Sequence, residues 1–184
     1  TKYITGHSDA MLGTVVCNEK TWPQFKETFE TMGLFAGPDD MYLGLRGLRT
    51  LDVRLQRHMQ SAIEVAQWLR ARPEVETVLY PALSNSAGHD IWKRDFTGAS
   101  GLFSVVLNPV SQDAVAAMLD NMELFSMGFS WGGFESLIVP FKPHRTATTW
   151  NAKGPALRLH IGMEHPDDLI RDLEAGFARL NKTR

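Results

Sequence analysis

The chain has 184 residues, enough for one large domain or two small ones, with 43% hydrophobic and 22% charged residues, as in ordinary soluble globular proteins. Its formal net charge is −2 and its basic and acidic residues are interspersed, so neither a nucleic-acid partner nor a membrane surface is expected. No apolar run approaches the ~20 residues of a membrane span and no charged-then-apolar leader opens the sequence; one cysteine, Cys17, leaves no internal disulfide framework or multi-cysteine metal site, and the cytoplasm is the expected compartment.

The opening "TKYITGHSDAMLGTVVCN" sets Lys2 a few residues ahead of Gly6, His7, Ser8 and Asp9. Met11 to Asn18 is short, apolar and β-branched and predicts a buried strand, with Cys17 as a packed small residue. Trp22, Phe25, Phe29 and Met32 then fall on one helical face, between Thr21 as N-cap and Gly33 as stop. "AGPDD" (Ala36 to Asp40) predicts a turn, with Asp39 and Asp40 at the positive end of a further helix. Met41, Leu45, Leu48, Leu51, Leu55, Met59, Ile63, Ala66 and Leu69 keep helical spacing, so one very long helix is predicted. Gly44 and Gly47 mark a bend or a close packing near its start. A helix of that length often bridges two domains, and a boundary is set near its first turns: residues 1–50 as one unit and 51–184 as a second, joined by the helix.

The second unit mixes strands and helices without a strict βαβ rhythm, which predicts an α+β domain. Strands are expected at Val75–Pro81, Gly101–Leu107, Leu124–Ser130, Ser136–Pro140 and Ala156–Gly162. Helices are expected at His89–Phe96, from Ser111 as N-cap, and from Pro166 to the end, with Asp167 and Asp168 in the first turn.

Three stretches carry candidate chemistry. In "ALRLHIG", Leu157, Leu159 and Ile161 share one strand face and Ala156, Arg158, His160 and Gly162 the other. An arginine there suits a carboxylate held by two hydrogen bonds, or else belongs to an edge strand with its head in water or in a structural ion pair. In "SWGGFESL", Gly132 and Gly133 let the backbone turn sharply or approach a ligand, leaving Ser130 and Trp131 at the lip of a pocket, or form a plain hairpin over a core tryptophan. Lys2 is a nucleophile if burial or nearby positive charge lowers its pKa, and otherwise a solvated surface lysine. His7, Asp9 and His160 match no metal-ligand spacing, so no metal site is expected.

Taken together and in order, "TKYITGHSD", "RGLRTLDVRLQRH", "SWGGFESL" and "LRLHIGMEHPDDLIRDLEAGF" resemble the pyridoxal-phosphate enzymes of cysteine and methionine metabolism, and within them the bacterial cystathionine β-lyases. The resemblance covers essentially the whole chain. It implies the C-terminal half of a fold-type I (aspartate aminotransferase-like) subunit: the end of the large cofactor domain (1–50) and the small C-terminal domain (51–184). The part carrying the ring-stacking tyrosine, the aspartate paired with the pyridine nitrogen and most phosphate contacts would lie upstream, so the chain alone is expected to be inactive. The resemblance implies that Lys2 forms the Schiff base with the cofactor aldehyde and that Thr1 touches its phosphate. Arg158 would hold the substrate α-carboxylate with help from Ser130 and Trp131, and His7 and Asp9 would have a supporting role. It further implies β-elimination of cystathionine to homocysteine, pyruvate and ammonia in methionine biosynthesis, by a homotetramer. Phe129 and Trp131 around Ser130 favour this over the γ-acting relatives, in which a glutamate commonly precedes the serine and a leucine follows it. A broad cysteine desulfhydrase and a non-catalytic assembly module are the other readings. His165 replaces an acidic residue of the β-lyase pattern at a helix entry, where it should affect capping more than chemistry.

Overall fold

The structure, a computed structural model, describes residues 1–183. Its centre is an antiparallel sheet of four strands, β1 (Val75–Leu79), β2 (Leu102–Leu107), β3 (Leu137–Phe141) and β4 (Ala156–His160), in the order β1-β2-β4-β3. Alternating apolar residues dictate one buried face: Phe103, Val105, Leu107, Ile138, Leu157 and Leu159. Helices α3 (Leu51–Arg70), α5 (Gln112–Leu119) and α6 (Pro166–Lys182) supply its other wall through Val65, Leu69, Met118, Leu169, Leu173 and Phe177. Full burial of each such side chain is worth about 1.5–3 kcal/mol before entropy is counted, so this core holds the domain together. Ser111 caps α5, accepting from the Ala114 N–H, and His165 caps α6, its ring nitrogen accepting from the Asp167 N–H at 3.3 Å. The replaced acidic residue is therefore answered by a histidine that caps.

The first fifty residues are laid out differently. Helix α1 (Trp22–Thr31) has the expected face but buries none of its residues, and Trp22 and Met32 are exposed. Gly33, at φ +63°, ends it as expected. The strand expected at Met11 to Asn18 is absent: the segment is irregular, Val16 is 94% exposed and Cys17 is only half-buried. A β-branched run becomes a strand when a neighbour offers a ladder, and the described residues offer this one none. The same reason corrects Leu124–Ser130, which makes only an isolated bridge, Ser126 with Leu137.

The very long helix is two helices. Helix α2 (Pro38–Leu48) starts inside the expected turn, and α3 begins at Leu51 after a break at Arg49 and Thr50. Gly47 sits directly on the carbonyls of Ile4 and Thr5, where a Cβ has no room, and Gly44 is packed under the Leu12 side chain. These glycines dock the opening segment, which is the close packing their sequence positions suggested. Along α3 the expected apolar stripe of Leu51, Leu55, Met59 and Ile63 is only half-buried. The fully buried stripe is Arg54, His58, Ser61 and Ala62, continuing into Val65, Ala66 and Leu69. The N-terminal half of α3 thus buries polar groups, and one of them, Arg54, holds the opening loop. The short helix α4 (His89–Asp95) lies on the surface between β1 and β2.

Candidate active site

Lys2 lies in a tight loop closed by the Gly6 N–H donating to the Lys2 carbonyl at 2.8 Å. Gly6 has φ +75° and Ser8, unusually for a residue with a side chain, φ +59°. Arg54, 6% exposed, donates to the carbonyls of Tyr3 (2.8 Å), Ile4 (3.3 Å) and Gly47 (2.7 Å), tying this loop to both α2 and α3. Burial lowers the pKa of its guanidinium, and the three carbonyls are what satisfies it there.

The second component is the loop between α5 and β3. Its entrance is held by Asp172 of α6, whose carboxylate accepts from the N–H groups of Glu123, Leu124 and Phe125 at 2.8–3.1 Å. Its exit is held by Glu164, which accepts from the Ser136 N–H and hydroxyl, both at 2.8 Å. Ser8 and Glu135 join it to the opening loop with a 2.8 Å hydrogen bond. Between these anchors Gly132, at φ +81°, presses on the backbone of Lys2 and Tyr3. The paired glycines therefore serve a close approach, and what they approach is the chain's own Lys2 segment.

Four of the expected residues meet as a result. The Lys2 amine donates to the Ser130 hydroxyl at 2.9 Å and lies 4.5 Å from the centre of the Trp131 ring. The Arg158 guanidinium lies 5.5 Å from the same ring and makes only long contacts, 3.4 Å to the Ser130 carbonyl and 3.5 Å to that of Gly128. Strand β4 is central in the sheet, so the edge-strand reading of Arg158 is overturned. Trp131 is half-buried and no core tryptophan. None of the ion pairs among the described residues involves Lys2 or Arg158. An unpaired primary amine and an unpaired guanidinium fork on one indole can take, respectively, an aldehyde carbon and a carboxylate.

The other candidates lie outside this group. The Thr1 hydroxyl is engaged with the Leu12 backbone, accepting from its N–H at 2.9 Å and donating to its carbonyl at 3.2 Å. His7 and Asp9 line a separate small recess with Arg46 and Thr50, and the His7 ring contacts the Thr5 carbonyl at 2.8 Å. His160 faces inward against Gly132 and Gly133, apart from His7 and Asp9. A groove of about 870 Å³ lies between α3, α4 and the loop before β2, and contains none of these residues. Arg54, Asp172, Glu164 and Glu135, which shape the site, were missed in the sequence. All four lie within the stretches that resemble the family, which was the signal available, but no role was assigned to them.

A profile of Cys/Met metabolism PLP-dependent enzymes matches residues 1–178. The chain belongs to that family, which uses pyridoxal phosphate. It is 51% identical to the cystathionine beta-lyase of Escherichia coli over 98% of this chain and 47% of that protein, and equally to the cystathionine beta-lyase of Salmonella typhimurium. Among solved structures it superposes on a cystathionine gamma synthase from Xanthomonas oryzae in complex with cystathionine, with a TM-score of 0.86 and 35% identity over 100% of this chain and 49% of that one. The fold is thus that of the C-terminal half of a fold-type I subunit, and the chain spans about half the length of the curated relatives it matches.

Proposed function

We propose that this chain carries the catalytic lysine and the substrate-carboxylate site of a carbon–sulfur lyase. Its reaction is β-elimination of L-cystathionine to homocysteine, pyruvate and ammonia in methionine biosynthesis. The observation that carries the reading is the meeting of Lys2, Ser130 and Arg158 around one indole, from three segments far apart in sequence. The names of the relatives at 51% identity agree with it.

The residues present fit the cofactor on the chemistry of the donor set: Lys2 offers a primary amine free of any carboxylate partner. Lys2 would hold pyridoxal phosphate, with Thr1 beside its phosphate once the hydroxyl turns from Leu12. Bound there, the cofactor supplies a sink for negative charge at the substrate Cα. Arg158 grips the α-carboxylate by two parallel hydrogen bonds and so fixes the direction of the Cα–H bond. The Lys2 amine takes the proton from Cα, and Ser130 keeps it within reach through the 2.9 Å contact. The sulfur at Cβ then leaves, taking the proton held by Lys2 to depart as the homocysteine thiol, and the three-carbon enamine left behind takes up water to give pyruvate and ammonia. Trp131 walls one side of the space in which the substrate lies.

The residue roles of Thr1, Lys2, Ser130, Trp131 and Arg158, the division at residue 50, a homotetrameric state and a cytoplasmic location belong to the same proposal. No described helix is long and apolar enough to cross a membrane. The test is product analysis with the full-length subunit and cystathionine. Pyruvate and homocysteine in equal amounts are expected, lost on Lys2→Ala; 2-oxobutanoate as the main keto acid would overturn the β-lyase reading.

A further inference from the structure

His160 is 1% exposed and is used by none of the steps above. Its ring lies beside the glycine pair: Nε2 is 3.1 Å from the Gly132 nitrogen and 3.1 Å from the Gly133 oxygen. In one tautomer Nε2 accepts from the Gly132 N–H, and in the other it donates to the Gly133 carbonyl. Either way the imidazole ties down the same corner. The ring is hemmed in by three neighbours. Gly101 leaves no space for a Cβ beside it, Tyr3 stands edge-on at 6.0 Å, and the His58 ring lies at 5.2 Å. His58 is itself fixed, its Nδ1–H donating to the Ile161 carbonyl at 2.7 Å.

The corner that His160 holds is the one that bears on the lysine. A Cβ on Gly132 would fall 2.8 Å from the Tyr3 nitrogen and 3.2 Å from the Lys2 Cβ. Gly132 is therefore clamped between the His160 ring and the Lys2 backbone. Ser130 and Trp131, the two residues before it, inherit their placement from this clamp. Asp172 and Glu164 fix the ends of the loop, and His160 is the side chain that holds its Gly132–Gly133 corner.

We infer that His160 is a positioning residue for the elimination reaction: it sets the register of the Gly132–Gly133 corner, and through it the distance between the Lys2 amine and the Ser130 hydroxyl. This rests on the reading of Lys2 as the catalytic amine. Displacements near 1 Å in a reacting pair can cost about a hundredfold in rate. A change at His160 should accordingly act on kcat more than on KM, since Arg158 and its carboxylate grip are left in place.

The experiment compares His160→Phe, which keeps a ring and loses both polar contacts, with His160→Gln, which keeps a donor and an acceptor, in the full-length holoenzyme. With cystathionine as substrate, His160→Phe should lower kcat about 10- to 100-fold with KM within about threefold, and His160→Gln should recover most of the loss. Hydrogen–deuterium exchange should quicken in the peptide spanning residues 126–136 of His160→Phe and stay near the parent rate in His160→Gln. If His160→Phe does not fold, His160→Met takes its place under the same criteria. Parent-like kcat and exchange in the apolar variant would overturn the inference, as would equal loss in His160→Gln. Lys2→Ala separates the two levels: retained turnover there overturns the reading of Lys2 itself, whereas its loss beside an unaffected His160→Phe overturns only the positioning role.

Discussion

The guanidinium of Arg54 donates to the carbonyl of Tyr3 at 2.8 Å, one residue beyond Lys2. This single side chain on α3 also reaches Ile4 and Gly47, so the lysine loop and the α2 terminus share one anchor. Arg54→Met keeps much of the volume but leaves three carbonyls facing an apolar chain. The expected cost is about 2–4 kcal/mol in denaturant unfolding, since charged hydrogen bonds to buried groups contribute about 1.5–3 kcal/mol each and solvent recovers part of the loss. Turnover should fall as well. A variant as stable as the parent would show that the loop is held from elsewhere.

Arg158 and Ser130 should fail differently. Arg158→Lys keeps the charge but loses the planar fork, so the α-carboxylate is gripped at one point. A loss of about 10²–10³ in kcat/KM is expected, with a clear rise in KM. Ser130→Ala removes the 2.9 Å partner of the Lys2 amine, and its loss should appear mainly in kcat. Steady-state kinetics on cystathionine distinguish the two patterns; equal effects on KM would put Ser130 in the carboxylate grip as well.

Legibility in the sequence followed where each segment finds its partners. Strands β1, β2, β3 and β4 and helices α5 and α6 were readable because their apolar periodicity is answered within the chain. Met11 to Asn18 and Leu124 to Ser130 carry the same β-branched or aromatic composition, but neither gains a ladder neighbour along its length, so composition misled. The break at Arg49 and Thr50 was hidden because apolar spacing continues across it. What ends α2 is the docking of Gly47 on Ile4 and Thr5, a long-range contact no window contains. The site showed the same divide. Lys2, Ser130, Trp131 and Arg158 were singled out because their motifs resemble a family. Arg54, Asp172, Glu164 and His160 hold backbone groups, and a residue whose partner is a carbonyl or an N–H leaves no pairing signal in sequence.

Acidification should destabilise the fold through His160. Burial, together with His58 and Arg158 nearby, lowers its pKa from 6.5 to about 4, against the opposing pull of the Gly133 carbonyl. Burial lowers the His58 pKa in the same direction. The unfolded chain therefore binds a proton at His160 from about pH 6.5 downward, while the native state resists it until about pH 4. Stability contributed by the neutral ring is complete above pH 6.5 and is lost as pH falls toward 4. A shift of about 2.5 units corresponds to roughly 3 kcal/mol for His160 alone. Urea unfolding between pH 4 and 8 measures it: His160→Gln should flatten this part of the profile, and an unchanged slope would assign it to other groups.

The choice between β- and γ-chemistry should rest on Trp131 more than on Phe129. Elimination at Cβ needs one proton taken from Cα, the role proposed for the Lys2 amine; chemistry at Cγ needs a further proton moved at Cβ and so another acid/base or a different tilt of the substrate. Phe129 is 80% exposed, whereas the Trp131 ring has both the Lys2 amine and the Arg158 guanidinium against it. Sequence reasoning weighted the two flanking aromatics equally, and the geometry separates them. Phe129→Glu should therefore change product distribution little and cost at most a few-fold in rate. Trp131→Leu removes a wall and a cation–π partner of both charged groups, each worth about 0.5–2 kcal/mol, so kcat/KM should fall about 10-fold or more. Trp131→Leu adds no proton-transfer group, and the carboxyl that Phe129→Glu adds stands at an exposed position, so pyruvate should remain the main keto acid in both. Mass spectrometry of the products from cystathionine decides the matter: a rise of 2-oxobutanoate to parity with pyruvate in Trp131→Leu would mean that the indole was suppressing a γ-reaction the other residues already support.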